Sequence, residues 1–323
     1  MFHVERTILK GTLALPVTPL TCRTVLSLTV AVMLLAAPLA SARSPIEVGI
    51  ADQNPAMFDA PDFLALKIKH TRYFVPSDVM QDSRERAKAR AFVVAARAAG
   101  VSTLLHISTT DLRPKRGPIV SAAAYRSNVG RIVLYFRNLG VTDFGAWNEV
   151  NHKTQETWNR VDNAVAYFKA MYDAVHRRCP SCPVVGLDVL DQAGVATYMT
   201  RFYDLLSPTW RNRLKVVGIH NYSDVNRNRS TGTATIVKTA RKFNKRTRFW
   251  FTETGALASF GGSFPYDERR QATRIRSMFT FAARYRAQGV ERVYAYNWFG
   301  IEHAGCGVHC RFDAGLVDRD GTP

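Results

Sequence analysis

Short apolar runs alternate along this chain with longer segments in which apolar positions recur every three to four residues. The runs at 46–51, 68–74, 101–107, 141–147, 184–190, 214–220, 249–252 and 293–297 predict buried parallel strands, because a strand covered on both faces is continuously apolar rather than alternating. The amphipathic segments at 82–99, 121–138, 154–178, 195–206, 234–243 and 268–286 predict helices, with Gly100, Gly140 and Gly289 as stops. Eight strands joined mostly by helices have two solutions, an open doubly wound sheet or a closed barrel. The polar residues favour the barrel. Asn54, Arg72, His106, Glu149, His220, Glu253 and Trp298 fall at or near C-terminal strand ends, which a barrel gathers at one mouth. No GxGxxG follows the first strand and there is no P-loop, so a nucleotide-binding sheet lacks its local sign. The expected fold is α/β, a (β/α)8 TIM barrel. No eighth helix is visible before Pro323, so either further residues belong to the ring or it closes without that helix.

Composition changes this picture only at the N-terminus. With 323 residues, 46% hydrophobic and 22% charged, the chain reads as one large globular domain and not as a disordered one. Arg6, Lys10 and Arg23 precede an apolar stretch from Val25 to Leu39 that closes on Ala40-Ser41-Ala42. This is the pattern of a secretory signal peptide over 1–42, leaving 43–323 as a single catalytic-size domain. The stretch is short for a membrane span and is interrupted by Pro38, which disfavours an uncleaved anchor, and no later segment is apolar enough to cross a bilayer. The expected location is extracellular or at the cell envelope. Outside residues 1–42 the chain holds Cys179, Cys182, Cys306 and Cys310, an even set that in an exported chain predicts two disulfides, most simply Cys179 with Cys182 and Cys306 with Cys310. A zinc site drawing on His303 and His309 is the competing reading of the same cysteines.

The net charge of +18 favours anionic partners. Removing 1–42 takes away Arg6, Lys10 and Arg23 against Glu5, so the excess falls by only two. The basic residues are scattered along helical segments without a nucleic-acid-binding module, so no specific nucleic acid is expected. An acidic polysaccharide or an anionic wall fits the charge, and a solvated basic face is the plainer explanation.

Candidate chemistry centres on FGAWNEVNH at 144–152, where an apolar run ends abruptly in Asn148 and Glu149. RFWFTETG ends the same way at Glu253. Two carboxylates at the ends of different strands are what cleavage of a glycosidic bond requires, one to protonate the departing oxygen and one to attack the anomeric carbon. The ordered set resembles the superfamily of retaining glycoside hydrolases with an eightfold β/α barrel, the 4/7 superfamily of cellulase-, xylanase- and mannanase-like enzymes. The resemblance rests on Asn148-Glu149 in WNEVNH, Glu253 in WFTETG, Arg72, His220 and Tyr222 in GIHNY, and Trp298 in YNWF, and it covers essentially all of 43–323.

That resemblance implies Glu149 as acid/base and Glu253 as nucleophile. It implies Asn148 as a donor to the sugar 2-hydroxyl, Tyr222 and Arg72 as partners of Glu253, His220 as an orienting group and Trp298 as a stacking face. Trp147 reads as a core residue behind Glu149. Asp52, Asn54 and His106 are weaker subsite candidates. The mechanism requires no cofactor and no metal, and no HExxH or close His/Asp ligand cluster is present. Mostly short loops favour an open cleft and endo action on a polysaccharide or oligosaccharide by a monomer. A barrel that binds carbohydrate without cleaving it is the alternative.

Overall fold

The computed structural model describes residues 45–109, 119–302 and 311–322. The expected signal peptide, Cys306, Cys310, His303 and His309 lie outside the described residues. Eight strands close into one parallel barrel in sequence order. They are β1 (Glu47–Ala51), β2 (His70–Pro76), β3 (Ser102–Ser108), β4 (Asp143–Gly145), β5 (Val184–Leu190), β6 (Val216–His220), β7 (Arg248–Thr254) and β8 (Val290–Tyr296). The ring closes where Gly49 of β1 pairs with Tyr294 of β8 and Ala51 with Tyr296.

The main helices are set by local chemistry at their ends. They run over α2 (Ser83–Ala98), α3 (Ala122–Asn138), α4 (Val161–His176), α5 (Val195–Asp204), α8 (Thr231–Phe243) and α9 (Glu268–Tyr285), with shorter α1 (Pro61–Ala65), α6 (Pro208–Arg213) and α7 (Tyr222–Asn226) between them. Asp82 caps α2 by accepting from the Arg84 and Glu85 amides at 2.9 and 3.0 Å, Ser121 caps α3 and Asp267 caps α9. Gly100 and Gly140, at φ of 71° and 96°, turn the chain out of α2 and α3 in a conformation that side chains resist.

One expectation shifts. The segment 154–160 is not helical; it makes successive turns before α4. Gln155, Glu156 and Thr157 are buried instead, with Gln155 accepting from Trp147 Nε1 at 3.1 Å and Glu156 accepting from the Val120 amide and the Tyr167 hydroxyl. The stretch after β6 contains the short α7, which the sequence pattern does not predict. No helix follows β8 among the described residues. An apolar cavity of about 550 Å³ lies there, lined by Ile50, Leu66, Ile275, Phe279, Ala295 and Trp298 among others.

The core has two parts. A large cluster fills the space between strands and helices, and a small one of Leu104, Val185, Val216, Trp250 and Tyr294 fills the barrel lumen. Below this plug Arg292 stacks over Trp250 and pairs with Asp143 and Glu47 near the strand starts. The lumen is therefore sealed at its N-terminal end, and polar groups collect at the other. Cys179 and Cys182 form a disulfide in the turn after α4. No helix among the described residues is long and apolar enough to cross a membrane.

Candidate active site

Glu149 is delivered by a strand that continues past its regular part. Beyond β4 the backbone keeps bonding to both neighbours: the Ala146 amide to Val185 O at 2.9 Å, Asn148 to Ile107 O at 2.8 Å and Val150 to Asp188 O at 3.0 Å. Between those anchors Glu149 has φ of 45°, a left-handed conformation that a non-glycine residue adopts at some cost. The fixed neighbours hold it there, and the side chain projects into the mouth. Trp147, just before it, is buried beneath the site as expected.

Glu253 is held through both carboxylate oxygens. Arg72 Nη1 donates to Oε2 at 2.7 Å and the Tyr222 hydroxyl donates to Oε1 at 2.9 Å. Burial and the nearby Glu253 charge push the Tyr222 phenol well above its ordinary pKa, so it remains a donor. Tyr222 opens α7, and Asn226 of the same turn donates to Tyr222 O and Gly255 O and accepts from the Leu257 amide. One side chain thus ties the β6 loop to the β7 loop and fixes Tyr222 against Glu253.

Arg72 is wholly buried and spends every face of its guanidinium on this layer. Nη2 donates to Asn148 Oδ1 at 2.6 Å and lies 3.4 Å from Asp188 Oδ2, while Nε donates to His106 Nδ1 at 3.1 Å. Because Nε always donates, His106 accepts at Nδ1 and its neutral proton sits on Nε2, 3.6 Å from Asp188 Oδ2. Burial is the main reason that His106 is pushed down to about 3, keeping the ring neutral.

Asp188 is the hub that sequence reasoning missed. Its Oδ2 lies 2.8 Å from His220 Nε2, and its Oδ1 accepts from Thr252 Oγ1. Burial alone would raise its pKa, but His220, His106 and Arg72 together hold it well below the usual carboxylate range. The same charges act in reverse on His220: burial would lower it, yet Asp188 and Glu253 lift it to about 10. Protonated His220 then donates from Nδ1 to Glu149 Oε1 at 3.0 Å. Room for this buried layer comes from two glycines. A Cβ on Gly218 would sit 1.8 Å from Asp188 Oδ1, and one on Gly145 would sit 2.2 Å from the His106 ring. The signal for Asp188 was its position as a lone carboxylate in the apolar run VVGLDVL.

Above this layer opens a cleft of about 680 Å³. Asn148, Glu149, Glu253 and Tyr222 line it, so four expected residues meet at one place. Arg72 and His220 lie directly beneath, bonded to those residues. A carboxylate oxygen of Glu149, one of Glu253 and a ring nitrogen of His220 lie within 4.8 Å of one another. Such a triad has the donors for a cation. Here, however, the Arg72 guanidinium occupies Glu253 and a raised pKa keeps a positive charge on His220, so the local field opposes one.

The other expected residues fall elsewhere. Trp298 is not a stacking face in the cleft. It is buried, packs edge-on against Phe63 at 5.5 Å and borders the apolar cavity on the barrel exterior. Tyr296, two residues earlier on the inward-facing side of β8, lines the cleft instead. Asp52 explains the turn that follows: its carboxylate accepts from the Trp298 and Phe299 amides at 3.0 Å each, clipping the chain after β8 to the end of β1. Asn54 caps the short turn at Pro55–Asp59 and does not line the cleft. His106 is beneath the site and not a subsite.

Sequence reasoning also missed the aromatic walls. Phe74, Tyr296, Phe312 and Phe260 line the cleft, with Phe312 edge-on to Tyr222 at 5.2 Å and to Phe260 at 5.6 Å. Phe260 and Phe312 come from loops whose sequence carries no strand periodicity, so only the fold brings them together.

Several solved glycoside hydrolases share this architecture. A glucosidase from Croceicoccus marinus superposes on 87% of this chain with a TM-score of 0.61 and 16% identity. An exo-β-1,4-mannosidase from Opitutaceae bacterium strain TAV5 superposes on 88% with a TM-score of 0.57 and 13% identity, and fungal β-1,4-galactanases on 86% with 0.57 and 12%. This chain spans 64% of the glucosidase, 58% of the mannosidase and 97% of the galactanase chain. At such identities the likeness establishes the fold, and the chemistry has to be argued from the site. No family model and no curated protein sequence matches the chain.

Proposed function

We propose that this protein is a retaining glycoside hydrolase in which Glu149 is the acid/base and Glu253 the nucleophile. The observation that carries the reading is the approach of carboxylate oxygens of Glu149 and Glu253 to within 4.8 Å on the floor of an aromatic-walled cleft. Retaining enzymes hold their two carboxyl groups roughly 5 Å apart, whereas inverting ones leave more space for a water. The hydrogen bonds divide the labour. Glu253, with Arg72 on one oxygen and Tyr222 on the other, has the surroundings of a fixed carboxylate. Glu149, accepting from His220 at Oε1 and lining the cleft, has the surroundings of a group that gives and takes a proton there.

In the first step Glu253 attacks the anomeric carbon as its bond to the leaving oxygen breaks, and Glu149 gives that oxygen its proton. In the second, Glu149 takes a proton from water, whose oxygen displaces Glu253 from the sugar. Asn148 has its carbonyl engaged by Arg72, which turns its NH2 toward the cleft as a donor for the sugar 2-hydroxyl. We assign this cleft endo action on a polysaccharide, which the product sizes measured below test. Export through residues 1–42 fits the Cys179–Cys182 disulfide.

The test is a screen of the purified protein against neutral and acidic polysaccharides and activated aryl glycosides, reading new reducing ends and product sizes. Glu253→Ala is expected to abolish turnover on every substrate. Glu149→Ala should retain turnover on aryl glycosides with good leaving groups, which need little protonation, and an activated fluoro-sugar should leave a covalent adduct on Glu253. Equal loss in both variants on all substrates, with both folded, would overturn the division of roles. Binding of glycans without any turnover would replace the enzyme with a carbohydrate-binding barrel.

A further inference from the structure

The loop that follows β6 places two arginines in the cleft that neither catalytic carboxylate uses. Arg227 and Arg229 both line it, alongside Ser223, Ser263 and Phe264. Arg227 Nη1 donates to Ser223 Oγ at 3.2 Å, and Arg229 Nη2 donates to the same oxygen at 2.5 Å. Two guanidinium groups are thus drawn toward one neutral hydroxyl. Like charges at such spacing repel, and a hydroxyl oxygen gives each only a weak neutral acceptor. Arg229 has partial relief from Asp224 at 3.5 Å. No carboxylate pairs with Arg227 among the described residues; its guanidinium lies over the Phe264 ring, 5.0 Å from the centroid.

The loop is built to hold this arrangement. Asp191 accepts from the amides of Ser223 and Asp224 at 3.1 and 2.6 Å, and Asp224 accepts from those of Gly232 and Thr233 at 3.1 and 2.7 Å. Two buried carboxylates spend their hydrogen bonds on backbone, fixing the segment from below and leaving the arginines on top. The same segment carries Tyr222, whose hydroxyl is bonded to Glu253, so the distance from the arginine pair to the reacting centre is set by one short stretch of chain.

Resting on the reading of this cleft as a glycosidase site, we propose that Arg227 and Arg229 form a subsite for an anionic substituent, a carboxylate or a sulfate, on a sugar of the bound glycan. The planar, two-pronged guanidinium suits either anion, and the Phe264 ring beneath Arg227 holds that guanidinium at the cleft wall. An anion between the two arginines replaces the shared hydroxyl with charge-assisted bonds and removes their mutual repulsion. The substrate class that follows is an acidic polysaccharide, cleaved at a bond near its charged residue. The chain's overall +18 charge draws such a polymer in, but the two arginines read its register.

The experiment measures binding to the Glu253→Gln protein by calorimetry, using matched pairs of oligosaccharides. Uronate-containing oligomers are compared with their carboxyl-reduced counterparts, and sulfated oligomers with their desulfated ones, so each pair differs only in the anionic group. At least one anionic member is expected to bind about tenfold or more tightly than its neutral partner, the size of a charge-assisted contact. Which pair shows it tells carboxylate from sulfate. In Arg227→Gln/Arg229→Gln the preference should collapse. In Arg269→Gln/Arg276→Gln, which removes two exposed charges from α9, it should persist. Loss of preference in both double variants would assign it to bulk charge and overturn the subsite. So would equal binding within every pair, or no binding to any. Turnover of a neutral aryl glycoside by the wild-type protein, absent in Glu253→Ala, separates failure of the subsite from failure of the glycosidase reading.

Discussion

At the scale of single residues, the site turns on where protons are held. Asp188 touches nothing in the cleft, yet it faces His220, Arg72, His106 and Thr252, contributed by four different strands. Its charge is what keeps His220 protonated despite burial, and His220 in turn faces Glu149. Asp188→Asn should therefore lower kcat on the order of a hundredfold through loss of proton transfer, with little change in KM. A merely structural role would not move His220 itself. Nitrogen-15 NMR of labelled histidine should show His220 doubly protonated at neutral pH in the wild type and titrating nearer its ordinary 6.5 in the variant.

The sign of the pH dependence follows from the same residues. His220, raised to about 10, contributes stability that is complete below 6.5 and is lost as pH climbs toward 10. The gap in urea midpoint between wild type and His220→Gln should accordingly narrow between pH 7 and 10. His106, lowered to about 3, acts in the other direction: stability falls as pH drops from 6.5, because the unfolded chain takes the proton that the buried ring refuses.

At the scale of elements, strand order and spacing were legible in the sequence because buried parallel strands announce themselves as apolar runs. Polar residues that end such runs, as Glu149 and Glu253 do, were readable for the same reason. What could not be read was the side of the barrel wall on which a residue falls. Trp298 and Tyr296 are two positions apart in one aromatic segment, and the choice between them is made by Asp52, far away in sequence, which captures the backbone after β8 and turns it. The structure's assignment can be tested directly. Tyr296→Ala should weaken glycan binding by about 1 to 2 kcal/mol through loss of ring contact, with little effect on the melting temperature. Trp298→Leu should cost about 2 kcal/mol of stability by opening a cavity against Phe63, while kcat/KM on an aryl glycoside stays near wild type. The reverse pattern would return Trp298 to the cleft. Most helix starts were legible too, α2, α3, α5 and α9 beginning within a residue of expectation; the turns at 154–160 are the main exception, because Gln155 and Glu156 find buried partners that outweigh a helical preference.

At the scale of the whole molecule, the barrel divides its polar residues between two ends with different tasks. At the C-terminal end, buried charges are arranged around a cleft. At the N-terminal end, Arg292 threads beside Trp250 and Tyr294 to reach Asp143 and Glu47, closing the lumen. Burial would weaken the Arg292 charge, but Tyr294 and Asp143 keep it firmly protonated. Replacing it with Met preserves most of the packing while stranding the Asp143 carboxylate, which is nearly buried. Removal of one partner from such a pair costs about 3 kcal/mol or more. Arg292→Met should thus shift the urea midpoint down sharply while the folded fraction keeps its kcat, since the apolar side chains of Leu104, Val185, Val216 and Trp250 lie between the two ends and the Tyr294 hydroxyl is bonded to Arg292. Arg72→Met, the matching change at the other end, should instead abolish turnover, because it releases Glu253, Asn148, His106 and Asp188 at once. If Arg292→Met lowered kcat in protein shown to be folded, the two ends would be coupled through the lumen, and the barrel's apolar plug would have to be counted as part of the machinery that positions Glu253.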